Sequence, residues 1–531
     1  MTSLFSFVFS NYQSHQVWPI KSESDQFGVQ TAGVYNYYFY EIFSFQIPNK
    51  IKKPNLRPLE DYEYLNKNKH SYQNIFGENH SNVLLESDAS SATINPKIAN
   101  PNQTINGILK DKNIILVQLE TFNHFLLDES GPYLDETFMP YLKELLSKSF
   151  YLSNFYTNVG IGHSSDAEFA SQTGLLPEGS ITLFWDFETN EYTFISLAEA
   201  LNNYYSASLH ADDKTFYNRI NIYDKLFSFD ELYYYFDDAT DKNPYNVINA
   251  FPNSLDKTNP NSPWLSEKSL FEWTKSLAIQ SLNKDENFYL FPITVHPHTP
   301  FKYDPYEDEP IFTSANLPNV DSTTLKMLNF GRFYDDIIRY LVELTNSLSD
   351  TVLIAYADHG TGFSLNDVKT LLGDFSLSDL EIWNEINKTF AFIYYPDPDE
   401  PNNPNNPYQI KESLIKGKQP LVRSQIDIYR TILELTAANQ EIFYYGTNLL
   451  SDEHTFSYHA KTNMVTTDNM IISLKKYLSL DRQINQQSVY FFDNYLSKTE
   501  LDNYVDYFVR FRLLTSEMIL NNQAYQLSKN K

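Results

Sequence analysis

Asn113-Ile114-Ile115-Leu116-Val117-Gln118-Leu119 is a nearly unbroken apolar run that ends on an acid, Glu120. A strand wetted on one face alternates apolar and polar residues, whereas a strand buried on both faces reads as a continuous apolar stretch. Phe288-Tyr289-Leu290-Phe291-Pro292-Ile293-Thr294-Val295, Thr351-Val352-Leu353-Ile354-Ala355-Tyr356 and Phe390-Ala391-Phe392-Ile393-Tyr394-Tyr395 have the same character. Between the second and third runs, Phe330, Phe333, Ile337, Leu341 and Leu344 recur at helical spacing, with Asp335, Asp336, Arg339 and Glu343 on the opposite face. Buried strands alternating with helices predict an α/β fold with a mostly parallel central sheet flanked by helices.

Outward from this core the pattern changes twice. Residues 1–110 read as an N-terminal extension whose last part, from Ser87 through Pro96 and Pro101 to Asn106, has the Ser, Asn and Pro content of a linker. Residues 111–450 hold these runs and read as the main domain. Residues 451–531 turn to short strands between His454 and Met470 and then to helical stretches, which predicts a small C-terminal α+β subdomain.

The chain of 531 residues is too long for one compact core, and 42% hydrophobic residues supply a substantial one. Its net charge of −27 repels nucleic acid and anionic headgroups at long range, so a nucleic-acid partner is not expected. An anionic substrate would need local cations or a metal to overcome that field. Cys is absent, which removes disulfides, thiolate metal sites and a cysteine nucleophile. No apolar run reaches the roughly 20 residues that span a bilayer, so no transmembrane helix is expected. The opening Met1–Ser10 stretch is apolar but lacks the basic start and small-residue site of a signal peptide.

In open α/β sheets ligands gather beyond the carboxyl ends of the strands. Three buried runs end there in polar chemistry: Glu120-Thr121, His296-Pro297-His298-Thr299-Pro300 and Asp358-His359-Gly360. Each alone is compatible with an ordinary turn or a structural histidine. Together they offer carboxylates and imidazoles, a donor set suited to Mn²⁺ or Zn²⁺. A fourth segment, Gly160-Ile161-Gly162-His163-Ser164-Ser165-Asp166-Ala167-Glu168-Phe169-Ala170, follows another apolar run and places a serine in the first turn of a helix. Unpaired amides and the positive dipole end favour an anion there. Ser164 is then either a helix cap or a nucleophile, and a cation on its oxygen would make the alkoxide accessible. A further stretch, Leu209 to Arg219, holds His210, Tyr217 and Arg219, which suit phosphate oxygens and an alcohol substituent or else a solvated loop.

These segments resemble, in one consistent order over roughly residues 111–475, the lipoteichoic acid synthase family of the alkaline phosphatase/sulfatase superfamily. The likeness is carried by Gln118-Leu119-Glu120, the motif at 160–169, His210 with Arg219, Thr294 to Phe301 and Asp358-His359-Gly360. It continues through Gln425-Ile426-Asp427-Ile428-Tyr429-Arg430-Thr431-Ile432-Leu433 and Tyr445-Gly446-Thr447-Asn448-Leu449-Leu450. The resemblance implies one divalent metal held by Glu120, Ser164, Asp358 and His359, taken as Mn²⁺ with Zn²⁺ or Mg²⁺ as alternatives. It implies attack of Ser164 on phosphatidylglycerol, a phosphoglyceryl-serine intermediate, and transfer to a glycerol-phosphate polymer in lipoteichoic acid or related envelope synthesis. His210, Tyr217, Arg219 and His298 would hold the headgroup. The implied location is the outer face of the bacterial membrane, at the membrane surface, or outside the cell.

Four features depart from the family pattern. Ser164 stands where Thr is usual, with Ser165 as the alternative nucleophile; His163 replaces a Lys and Tyr217 a Trp. The family's N-terminal membrane helices have no counterpart, although Phe27 to Tyr38 resembles the juncture that follows them, as in a shortened chain or a soluble relative. A sulfatase activity is disfavoured, because the segment after Ser164 lacks the Pro and Arg of a formylglycine motif. A phosphodiesterase releasing glycerol phosphate to water, transfer of another phospho-headgroup, and an inactive surface-binding relative remain as alternatives.

Overall fold

The computed structural model describes residues 93–94, 106–128, 131–186, 192–238, 240–438, 444–478, 488–492, 496–520 and 522–525. The apolar opening stretch and the Phe27–Tyr38 juncture lie outside the described residues. Among the described residues no helix is long and apolar enough to cross a membrane.

The strands of the main sheet are β1 (Thr93–Ile94), β2 (Asn113–Leu119), β3 (Phe150–Tyr156), β4 (Tyr205–His210), β5 (Glu231–Tyr234), β6 (Phe288–Ile293), β7 (Thr351–Ala357), β8 (Lys388–Tyr394), β9 (Ile415–Gln419) and β10 (Arg423–Ser424). They lie in the order β1-β9-β3-β8-β7-β2-β6-β4-β5, with β10 beside β3. Pairing is parallel throughout β7-β2-β6-β4-β5 and for β3 with β9 and β10; it is antiparallel where β8 joins β7 to β3 and where β1 joins β9. The sheet is therefore mixed and mostly parallel, as the apolar runs predict. β1 lies inside the stretch read as a linker, so part of that stretch pairs with the sheet.

Why the runs are continuous is visible residue by residue. Ile114 and Leu116 of β2 enter one hydrophobic cluster, and Ile115, Val117 and Leu119 enter the other. Val352, Ile354 and Tyr356 of β7 join the first, while Leu353, Ala355 and Ala357 join the second. Strand side chains alternate between faces, so a sheet covered on both sides needs an apolar residue at every position. Each fully buried Ile or Leu contributes roughly 1.5–3 kcal/mol relative to exposure, and β2 has no exposed position.

Four helices bear on the site or its support. α1 spans Pro140–Lys148, α2 Ser164–Thr173, α3 Gly331–Asn346 and α4 Ile426–Thr436. Phe333, Ile337, Leu341 and Leu344 of α3 are buried as their spacing predicts. Asp335, expected on the polar face, is buried too. Its carboxylate accepts the amides of Leu142 (2.8 Å) and Tyr141 (3.2 Å), which are unpaired donors in the first turn of α1.

A second, antiparallel sheet is formed by β11 (Phe456–His459), β12 (Met464–Thr467), β13 (Met470–Ser473) and β14 (Val489–Phe491), in that order. The helix α5 (Lys498–Leu520) follows, and its Phe508 and Phe511 pack on Phe456.

Candidate active site

Register places the first pair of acidic groups. Leu119 of β2 is level with Ala357 of the parallel neighbour β7, so Glu120 and Asp358 leave the sheet side by side. Pairing continues one step beyond the strands, with Asp358 N–H donating to Leu119 O (3.0 Å) and Phe122 N–H to His359 O (2.9 Å). On the other flank Glu120 N–H donates to Thr294 Oγ1 (2.8 Å), just past β6. Thr121, at φ 45°, turns back so that its N–H donates to Asp358 Oδ1 and its hydroxyl to Glu120 Oε1.

The segment from Thr157 to His163 carries the chain from β3 into α2. Gly160 and Gly162 donate their amides to Asp166 Oδ2, folding this loop over the helix start. Burial pushes the Asp166 carboxyl up to about 7, against the pull of those two amides. A Cβ on Gly160 would lie 2.3 Å from the Cα of Gly179, so only glycine fits this approach. His163 holds the N-cap position, which makes Ser164 the first helical residue and leaves its hydroxyl without a capping bond. Ser165 is fully buried, with its hydroxyl donating to Gly162 O (2.8 Å).

The four residues expected to hold a metal converge. Ser164 Oγ lies 3.4 Å from Glu120 Oε2 and 3.5 Å from His359 Nε2. His359 Nε2 lies 3.6 Å from Asp358 Oδ2 and 3.9 Å from Glu120 Oε1. Glu120, Asp358 and His359 offer ligand atoms all within 4.8 Å of one another. Ligands about 2.1 Å from a common tetrahedral centre stand about 3.4 Å apart, so this spacing fits a divalent cation. Two further observations agree. Asp358 Oδ2 is buried without a hydrogen-bond partner, and burial, followed by the charge of Asp358, pushes the Glu120 carboxyl well above its ordinary range. Two buried carboxylates and an orphaned oxygen are costly without a compensating positive charge. His359 Nδ1 is 3.0 Å from Gly360 O and donates there, which leaves Nε2 as the ligand nitrogen.

The candidate headgroup residues connect, through Arg219 and Glu168, to the helix that carries Ser164. His210, the last residue of β4, is level with Ile293 and donates Nδ1–H to its carbonyl (3.2 Å). Burial, reinforced by Arg219, lowers its pKa well below the usual value and keeps it neutral. Arg219 is not in a solvated loop: it is 3% exposed and grips Glu168 of α2 through Nε (3.1 Å) and Nη2 (2.5 Å). Its fork is therefore largely engaged by a carboxylate one helical turn beyond Ser164, and Nη1 is its buried, unpartnered nitrogen. Tyr217 lies with its ring 5.4 Å from that guanidinium. His298, half-buried, has Nδ1 2.7 Å from Thr299 O and lies within electrostatic reach of both His163 and His210. His296, by contrast, is buried against Glu267 at 3.0 Å and is structural.

Sequence reasoning missed the supporting layer. Gln425 donates to the Asp358 carbonyl and accepts the Asn158 amide (2.9 Å), tying the end of β7 to the loop that leads to Ser164. Glu168 carries the one legible signal of this layer, an acid within an otherwise small and neutral helix face.

Residues 112–438 match the protein family described as Sulfatase. The chain is 29% identical over 400 residues to the lipoteichoic acid synthase of Staphylococcus saprophyticus, covering 71% of this chain and 54% of that relative. It is 26% identical over 448 residues to the lipoteichoic acid synthase of Staphylococcus aureus, covering 81% and 60%. The chain thus spans between 54% and 60% of the length of these curated relatives. Among solved structures, the lipoteichoic acid synthase LtaP from Listeria monocytogenes is similar with a TM-score of 0.61 at 21% identity, covering 80% of this chain and 95% of LtaP. A protein of the alkaline phosphatase superfamily from Vibrio parahaemolyticus is similar with a TM-score of 0.56 at 16% identity, covering 82% and 90%. At these identities the structural likenesses speak for the fold.

Proposed function

The chain belongs to the sulfatase family, and from that premise we propose that it is a metal-dependent phosphoglycerol transferase acting on phosphatidylglycerol. The observation that carries the reading is the convergence of Glu120, Ser164, Asp358 and His359 at the spacing of one cation. Sulfate-ester chemistry is disfavoured because Ser164-Ser165-Asp166-Ala167-Glu168 lacks the Pro and Arg that precede formylglycine conversion, and Cys is absent.

The four ligands would hold Mn²⁺, or Zn²⁺ or Mg²⁺. Such an ion, when bound, supplies positive charge that lowers the pKa of the serine hydroxyl and offsets charge on the phosphoryl oxygens. Ser164 Oγ then forms a bond to phosphorus as the bond to the diacylglycerol oxygen breaks. The proton lost by the serine is balanced by the one that oxygen gains. A glycerol hydroxyl of the acceptor polymer next bonds to phosphorus, the serine bond breaks, and Oγ regains a proton. Arg219 Nη1, neutral His210, Tyr217 and His298 orient the phosphoglycerol group. Glu168 fixes Arg219 relative to Ser164, since both sit on α2. The catalytic unit is taken as 111–450, with 451–531 as a C-terminal subdomain and 1–110 leading into it. The place of action is the extracellular face of the bacterial cell membrane, where a lipid donor is met, or outside the cell.

The test is incubation of the full chain with fluorescent phosphatidylglycerol and Mn²⁺, followed by separation of lipids. Diacylglycerol together with a glycerol-phosphate polymer is expected. Diacylglycerol with free glycerol phosphate would mean hydrolysis, and no lipid product would favour an inactive relative.

The role of Arg219 has its own outcome. Arg219→Ala alone strands a buried Glu168 and is expected to cost about 3–5 kcal/mol of stability. The pair Arg219→Met with Glu168→Gln removes both charges. It is expected to keep a cooperative melt and unchanged Mn²⁺ affinity while weakening glycerol-phosphate binding at least about tenfold, read by calorimetry. Equal loss of metal and glycerol phosphate would contradict the assignment.

A further inference from the structure

The second sheet reaches into the site. The turn between β11 and β12 lies against the loop that leads to Ser164: Ala460 N–H donates to Asn158 O (3.3 Å), Lys461 N–H to Val159 O (3.1 Å), and Asn158 Nδ2 to Tyr458 O (3.1 Å). Gly179, at φ +90°, closes this seam, because a Cβ there would meet the Ala460 carbonyl oxygen at 2.6 Å. The turn carries two groups toward the nucleophile. His459 lies within electrostatic reach of His163 and His359. Lys461 places its ammonium 3.1 Å from His163 Nε2. An ammonium has no lone pair, so Lys461 donates and the imidazole accepts. The His163 ring in turn stands edge-on to the ring of His359, 5.3 Å between centroids. A path of direct contacts thus runs from an exposed lysine on the C-terminal sheet, through the residue before Ser164, to a ligand of the metal centre.

We propose that Lys461 is a positioning residue for the phosphoglycerol substrate, bringing an ammonium group to the Ser164 side of the site and holding His163 against His359. The inference rests on the transferase reading and extends it to a sheet that contributes none of the assigned ligands. It also answers an electrostatic requirement. A chain of net charge −27 must focus local cations to admit a phosphodiester anion. Arg219 is largely engaged by Glu168, and Lys461 adds a second basic group beside His163. His298, within reach of both His163 and His210, marks the space between the two positive groups.

The experiment is a charge series at one position in the full chain, Lys461→Arg, Lys461→Met and Lys461→Glu, with inorganic phosphate as the probe on Mn²⁺-loaded protein. Phosphate affinity is expected to be retained in Lys461→Arg. It should fall about fivefold in Lys461→Met, the scale of a solvent-facing charge contact, and further in Lys461→Glu. Mn²⁺ affinity and melting temperature should stay unchanged across the series. With phosphatidylglycerol the same order should appear in KM, with kcat changing less. Phosphate affinity that is flat across the series, or that falls only in step with Mn²⁺ affinity or melting temperature, would overturn the proposal. If the wild-type chain binds phosphate with this charge dependence yet releases no diacylglycerol, the transferase reading falls while the role of Lys461 in anion binding stands.

Discussion

Ser164→Ala is expected to lower phosphatidylglycerol turnover by at least about 1,000-fold, the scale on which loss of a covalent nucleophile is felt, while the protein melts as a folded chain. The two adjacent serines have different employment. Ser165 is enclosed and donates to Gly162 O, holding the loop in place. Ser164 makes its hydrogen-bonding contacts with Glu120 and His359 and caps nothing. Removing the Ser164 hydroxyl therefore leaves the hydrogen bonds that hold the loop intact, whereas Ser165→Ala removes the side-chain bond to Gly162 O. Ser164→Thr keeps a hydroxyl on Cβ and should retain measurable turnover. Release of fluorescent diacylglycerol checks all three variants. Full activity in Ser164→Ala with loss in Ser165→Ala would move the nucleophile by one position.

Much of this arrangement was legible because parallel strands share a direction. Once the apolar runs around Ile115 and Leu353 are read as buried parallel strands, Glu120 and Asp358 must leave the sheet at the same edge, and the register confirms it. His210 was legible in place but not in surroundings, since its level with Ile293 depends on β4 and β6 being neighbours. The antiparallel insertion of β8 between β7 and β3 left no mark, because an apolar run reads alike in either direction. Partnerships between polar residues distant in sequence were the least visible. Arg219 finds Glu168 across 51 residues and Lys461 finds His163 across 298. Such pairs are set by tertiary packing, and neither member's neighbours encode the other. Asp335 shows the same limit: helical periodicity assigns it to solvent, but the start of α1 offers it two amides and it is buried.

Loss of the metal is expected to destabilise the wild type and to leave a ligand variant nearly unchanged. In Glu120 and Asp358 two carboxylates are enclosed side by side, and Glu120 is pushed toward its protonated form by burial and then by Asp358. Metal-free protein therefore bears the cost of enclosing two acidic groups together, which a divalent cation offsets. Mn²⁺ at about 100 times its dissociation constant should stabilise the wild type by about 2.7 kcal/mol, seen as a rise in melting temperature. Glu120→Gln removes one of the two enclosed acidic groups without changing the shape. Its metal-free form should melt at or above the metal-free wild type, and Mn²⁺ should add little. Asp358→Asn should behave alike, since its Oδ2 has no other partner. In both variants Mn²⁺ affinity by calorimetry should fall by at least about 100-fold, beyond what loss of a supporting hydrogen bond costs a metal site. A Mn²⁺-induced rise of wild-type size in either variant would mean that the ion binds elsewhere, and the geometry around Ser164 would then need another account.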